Sequence, residues 1–97
     1  MSDDDDVITM NIRIEGHVQG CGFRDFAVRE ANARKLKGWV RNRSDGSVEA
    51  VASGPRLDVE AFITVCMKGP RGAIVSAFNL SPVDAPEQLG FTRRPSL

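Results

Sequence analysis

Met10-Asn11-Ile12-Arg13-Ile14-Glu15-Gly16-His17-Val18-Gln19-Gly20-Cys21-Gly22-Phe23-Arg24 changes periodicity partway along, and that change sets the fold. Up to Val18 the stretch alternates. Met10, Ile12, Ile14, Gly16 and Val18 fall on one face, and Asn11, Arg13, Glu15 and His17 on the other. Period two is the pattern of a half-buried strand. From Phe23 the apolar residues recur at helical spacing, through Phe26, Ala27, Val28 and Ala31, with Arg29, Glu30, Asn32 and Arg34 left for water. A helix is therefore expected from Phe23 to Leu36. Between strand and helix lies the turn Gln19 to Gly22. Its glycines let backbone approach a ligand, the helix start points free N–H groups the same way, and Arg24 adds a fork of donors. Taken alone, this is an anion site open to several kinds of ligand.

Outward from that stretch, Lys37 to Arg43 reads as a second strand and Arg43-Ser44-Asp45-Gly46 as a hairpin turn. A helix stop near Lys35 favours glycine in a left-handed conformation, and lysine there costs about 1 kcal/mol. Ser47 to Ser53 alternates Val48, Ala50 and Ala52 against Glu49, Val51 and Ser53, as a third strand does. Gly54-Pro55 opens a second helix, with proline suited to its first turn. Val59, Phe62, Ile63, Cys66 and Met67 follow helical spacing until Gly69-Pro70. Ala73 to Leu80 is a fourth strand, with Ile74, Phe78 and Leu80 on one face and Ala73, Val75 and Ala77 on the other. After the proline-bearing loop Ser81 to Gln88, Leu89 to Arg93 can add a short edge strand.

The order β-α-β-β-α-β predicts a ferredoxin-like α+β sandwich, two helices on one face of a mostly antiparallel sheet of four to five strands. In that arrangement the first two strands run parallel. Their carboxyl ends share an edge, so Asn42 can reach the same place as the glycine turn.

The chain of 97 residues is long enough for a single core, and 13 basic residues balance 13 acidic ones. Net charge thus gives no case for nucleic acid or anionic membrane. Apolar runs fall short of the ~18 residues of a spanning helix. Cys21 and Cys66 make neither a disulfide framework nor a metal cluster, and the Met1 to Asp6 start is the opposite of a basic signal peptide. A cytoplasmic protein with reduced thiols is expected. Residues 1–8 read as a disordered acidic tail and 9–97 as one domain.

Three segments together resemble a known family: Gly16 to Arg24, then Gly38-Trp39-Val40-Arg41-Asn42, then Asp45-Gly46-Ser47-Val48-Glu49. In this order and spacing they resemble the acylphosphatase family, from Met10 to about Arg93. The resemblance implies hydrolysis of acyl phosphates to a carboxylate and inorganic phosphate, without metal or cofactor. It assigns phosphate binding to the loop and Arg24, and water positioning to Asn42. Cys21 stands where valine is common, His17 where arginine is, and Arg34 and Lys35 where leucine and glycine often end the first helix. None of these removes a group carried over as catalytic.

The chemistry fits those residues. A carboxylate leaving group needs little protonation, so the task is to hold the phosphoryl oxygens, spread their charge and place water in line. Backbone N–H groups of Gln19, Gly20, Cys21, Gly22 and Phe23 can form an anion nest. Arg24 can pair two oxygens, and Asn42 can orient water through its amide without acting as a base.

Other readings are weaker. The glycines lack the third member of a dinucleotide fingerprint, and no Gly-Lys-Ser/Thr follows for a P-loop. His17 has no second histidine beside it and belongs with solvent. Cys21 has no visible base to activate it, so packing explains it better. Taken alone, Arg24 could be a surface or salt-bridge residue, with Asp25 beside it as a cap or partner. A binding or regulatory module for acyl or carbamoyl phosphate, without turnover, is the alternative function. RNA recognition on this fold needs companions to Trp39 that the central strands lack. A monomer acting on a small-molecule acyl phosphate is the expectation.

Overall fold

The computed structural model describes residues 6–97. In chain order it contains β1 (Val7–His17), α1 (Phe23–Ala33), β2 (Lys37–Asn42), β3 (Val48–Pro55), α2 (Arg56–Lys68), β4 (Ile74–Pro82) and β5 (Phe91–Arg93). The strands form one sheet in the order β4-β1-β3-β2-β5. Every pairing is antiparallel except β2 with β5. This is the expected ferredoxin-like α+β arrangement, with a fifth strand that pairs parallel to β2.

One apolar layer joins helices to sheet. Ile12 and Ile14 of β1, Val40 of β2, and Val48, Ala50 and Ala52 of β3 meet Phe23, Ala27 and Ala31 of α1 and Val59, Phe62 and Cys66 of α2. Phe91 of β5 joins them, edge-on to Phe62 at 5.5 Å between ring centres. The Cys66 thiol is core, as its spacing predicts, and burial pushes its pKa up to about 12. Met67, expected on the same stripe, is exposed instead.

β3 lies between β1 and β2 and is buried on both faces from Val48 to Ser53. The face away from the helices is closed by polar side chains rather than by a third layer. Thr9 and Ser53 hydroxyls share a hydrogen bond of 2.7 Å. The Glu49 carboxylate accepts from Asn11 Nδ2, Arg41 Nε and Arg43 Nη1 at 2.9, 2.9 and 3.0 Å. Trp39 is covered on this face by the guanidinium groups of Arg41 and Arg94, 4.9 and 4.7 Å from its ring.

Several boundaries differ from the sequence reading. β1 begins at Val7, because Val7 and Ile8 pair with Pro55 and Gly54. Those two residues therefore leave the tail assigned to residues 1–8. Asp6 is tied to the start of α2, its carbonyl accepting from Arg56 N–H at 2.8 Å and its carboxylate pairing with Arg56 at 2.7 Å. The remaining tail residues, 1–5, lie outside the described residues. α1 stops at Ala33 rather than Leu36. Lys35 takes the left-handed conformation (φ 57°), while Lys35 and Leu36 N–H groups bond back to Asn32 and Ala31 carbonyls at 3.0 Å each. That closure is a Schellman motif, with lysine in the place glycine favours. Pro55 precedes α2 as its capping residue instead of occupying the first turn. The face assignment of β4 changes most. A bulge opposite Glu15 and Gly16 leaves Val75 across from Gly16 and Ile74 across from His17. Val75 and Phe78 consequently pack on the core together, and Ile74 turns outward, 66% exposed.

Candidate functional site

Val48 is the rung that organises the site. It pairs with Ile14 of β1 on one side and Asn42 of β2 on the other. β1 and β2 thus run parallel, about 10 Å apart across one intervening strand. Both end at the same edge, where β1 gives way to the turn before α1.

Buried Val18 and Phe23 pin the two ends of that turn. Gly20 and Gly22 both adopt left-handed φ, 80° and 79°, and open space surrounds the position a Cβ would take at each. The need for glycine here is conformational, not steric. Gly22 caps α1 with no side chain of its own, and its carbonyl accepts from Phe26 N–H at 3.0 Å. The first N–H groups of α1 therefore face the turn with the positive end of the helix dipole behind them.

A cleft of about 90 Å³ opens at this point, lined by Val18, Gln19, Gly20, Gly22, Phe23, Arg24, Asp25, Asn42 and Arg93. Gln19, Gly20, Gly22, Phe23, Arg24 and Asn42, all singled out from sequence, are brought together there. Cys21 is not part of the lining. Its side chain packs against the core. Among the described residues, the Arg24 guanidinium takes no ion-pair partner; Asp25, a candidate for that role, pairs with Arg93 instead at 2.7 Å. His17 is exposed, as its place on the polar face of β1 predicts. No group of three or more His, Cys, Asp or Glu side chains is placed to hold a metal among the described residues.

Two contributions escaped the sequence reading. Beyond its backbone N–H, Gln19 brings a side-chain amide that donates to the carbonyls of Arg43 and Ser47, both at 2.9 Å. It thereby bolts the turn to the hairpin that follows Asn42. That hairpin is itself fixed by Asp45, whose carboxylate accepts from Ser47 N–H and hydroxyl at 2.9 and 2.6 Å. These bonds to Ser47 hold the Asp45 carboxyl below its ordinary range. Arg93, the last residue of β5, is the second. It arrives at the cleft because β5 pairs with β2, setting Arg93 beside Val40 and on the helix side of the sheet. The signal was available only to a reading that placed β5 next to β2. Asn32 helps to hold it there, its amide both donating to and accepting from the backbone of Phe91 at 3.3 Å.

The arrangement offers two guanidinium groups, a helix start and an uncharged amide around a small polar cleft. Such a set holds an anion with several oxygens and leaves the amide to orient a neutral partner.

Comparison with known proteins gives a consistent result. A family model described as acylphosphatase matches residues 10–93. The chain is 47% identical over 89 residues to an acylphosphatase of Rhodospirillum rubrum, covering 92% of this chain and 98% of that one. An acylphosphatase structure from Coxiella burnetii superimposes with a TM-score of 0.86 at 32% identity, covering 91% of this chain and 93% of the other. The Bacillus subtilis acylphosphatase structure gives 0.84 at 35% identity, covering 90% and 98%.

Proposed function

Since this chain belongs to the acylphosphatase family and is a hydrolase of acyl phosphates, we propose how it carries out that reaction. The phosphoryl group sits in the cleft between the Gln19–Phe23 turn and Asn42. The observation that supports this reading is the meeting of Arg24 and Asn42, which come from different elements, on one small polar cleft.

Backbone N–H groups of the turn and the start of α1 hold the phosphoryl oxygens. Arg24 pairs two of them through its fork and offsets the charge that spreads over them in the transition state. The Asn42 side-chain carbonyl accepts from a water molecule and points its oxygen at phosphorus, opposite the acyl oxygen. Attack forms the new P–O bond as the bond from phosphorus to the acyl oxygen breaks. The electron pair leaves with the carboxylate, and the proton of the attacking water passes to phosphate or solvent. A carboxylate leaves without prior protonation, so no side chain need act as general acid. The catalytic residues are then Arg24 and Asn42, with Gln19, Gly20, Cys21, Gly22 and Phe23 contributing backbone N–H groups.

This reading requires no metal or cofactor and only one copy of the chain. The free thiols of Cys21 and Cys66 suit a reducing, cytoplasmic setting.

The test is phosphate release from benzoyl phosphate by the purified protein with a chelator present. Activity persists in chelator, and Arg24→Ala loses most of it while the fold survives. Chelator-sensitive turnover, or full activity in Arg24→Ala, would sink the mechanism.

A further inference from the structure

We propose that Arg93 is a specificity residue, reading a carboxylate carried by the acyl group of the substrate. This rests on the cleft being the acyl phosphate site, and it asks what the part of the cleft not used by phosphate recognises.

Three observations point there. First, Arg93 lines the same cleft as Arg24 but arrives on β5, beside Val40, whereas Arg24 arrives on α1. The phosphoryl group already has the turn, the helix start and Arg24, so Arg93 is a second cation on a second wall. Second, Arg93 is aimed without being used up. Nη1 pairs with Asp25 Oδ1 at 2.7 Å, yet the Arg93 side chain is 46% exposed and Asp25 is 65% exposed. A guanidinium has five N–H donors in a rigid fork, so one carboxylate bond leaves others for a ligand. Third, Val18 and Phe23 are the only apolar side chains in the lining, and both are almost wholly buried. An apolar acyl group therefore finds little surface on which to leave water, whereas an anionic one finds a charge-assisted donor. Asp25 acts as a positioning residue, holding the guanidinium over the cleft.

The experiment compares benzoyl phosphate with 3-carboxybenzoyl and 4-carboxybenzoyl phosphate, reading kcat/KM in the wild type, Arg93→Ala and Arg93→Lys. The quantity of interest is the ratio of each carboxylated substrate to its parent, which cancels differences in leaving group between proteins. In Arg93→Ala the ratio falls roughly three- to tenfold for at least one isomer, the range for a partly exposed charged pair. Arg93→Lys keeps part of the preference, and added salt shrinks it in the wild type. An unchanged ratio for both isomers in Arg93→Ala overturns the inference. Arg24→Ala, assayed alongside on benzoyl phosphate, separates the two possible failures. If it is inactive while the ratio stays put, Arg93 alone is misread; if it is fully active, the site assignment falls and this inference with it.

Discussion

The side-chain amide of Gln19 donates to the backbone carbonyl of Arg43 at 2.9 Å, joining the turn after β1 to the residue that follows Asn42. The same nitrogen also reaches the Ser47 carbonyl. The two halves of the cleft, which derive from strands that are not neighbours in the sheet, are bridged by this side chain. Gln19→Leu removes both bonds and leaves the Arg43 and Ser47 carbonyls to their backbone donors, Gly46 N–H and Arg43 N–H, at a cost of about 0.5–1.5 kcal/mol for each bond lost. Turnover falls more than affinity for phosphate, since the anion needs only the turn while attack needs turn and Asn42 in register. Denaturant midpoints, kcat and inhibition by inorganic phosphate check this.

Asn42→Ala separates water placement from anion binding. Turnover drops on the order of 10²–10³, the usual effect of losing one preorganised hydrogen-bonding group. Inhibition by inorganic phosphate stays within about threefold, because Arg24 and the turn remain. A matching loss of phosphate affinity would instead put Asn42 among the anion ligands.

Lys35 pays a conformational penalty far from the chemistry, at the opposite end of α1 from the cleft. Lys35→Gly relieves the left-handed strain seen at φ 57° and stabilises the protein by about 1 kcal/mol. Thermal unfolding shifts upward by about 4–8 °C for a domain of this size, with kcat/KM unchanged.

Glu49 sets an acid limit on stability. Burial alone pushes its carboxyl upward, but the hydrogen bonds from Asn11, Arg41 and Arg43 outweigh that and hold it below its ordinary 4.5. A carboxylate depressed by folding stabilises fully above its unfolded pKa and loses that contribution as pH falls through the folded value. Glu49→Gln is therefore less stable than wild type at neutral pH, by about 1–3 kcal/mol. The gap narrows once pH drops below 4.5, as urea unfolding at a series of pH values will show.

The alternating and helical periods around Ile12, Ile14, Phe23 and Val59 were enough to place both helices, the sheet and its strand directions. Arg24 and Asn42 could then be put at one edge, since parallel β1 and β2 leave no other place for their carboxyl ends. What stayed hidden depends on neighbours far away in sequence. Ile74 reads as sharing a face with Phe78 until the bulge shifts its partner by one, and no local pattern announces that bulge. Val7 breaks the alternation that Ile8 continues, and both are held as strand by Pro55 and Gly54 opposite. The Gln19 amide and the Arg93 guanidinium acquire their roles from the hairpin and from β5, so neither could be assigned before those were positioned. Cys21 illustrates the converse. A reactive residue type in the turn beside the cleft sends its side chain into the packing, as its lack of an activating base leads one to expect.

Val48, paired on both sides at one level of the sheet, also links folding to ligand occupancy. The cleft exists only while β1, β3 and β2 hold a common register, so an unfolded chain has no comparable place for phosphate. Binding must then act as a thermodynamic brake on opening of the central strands. Inorganic phosphate at about a hundred times its dissociation constant adds about 2.7 kcal/mol to apparent stability. Amide exchange along β3 should slow with added phosphate in the wild type, and much less so in Arg24→Ala.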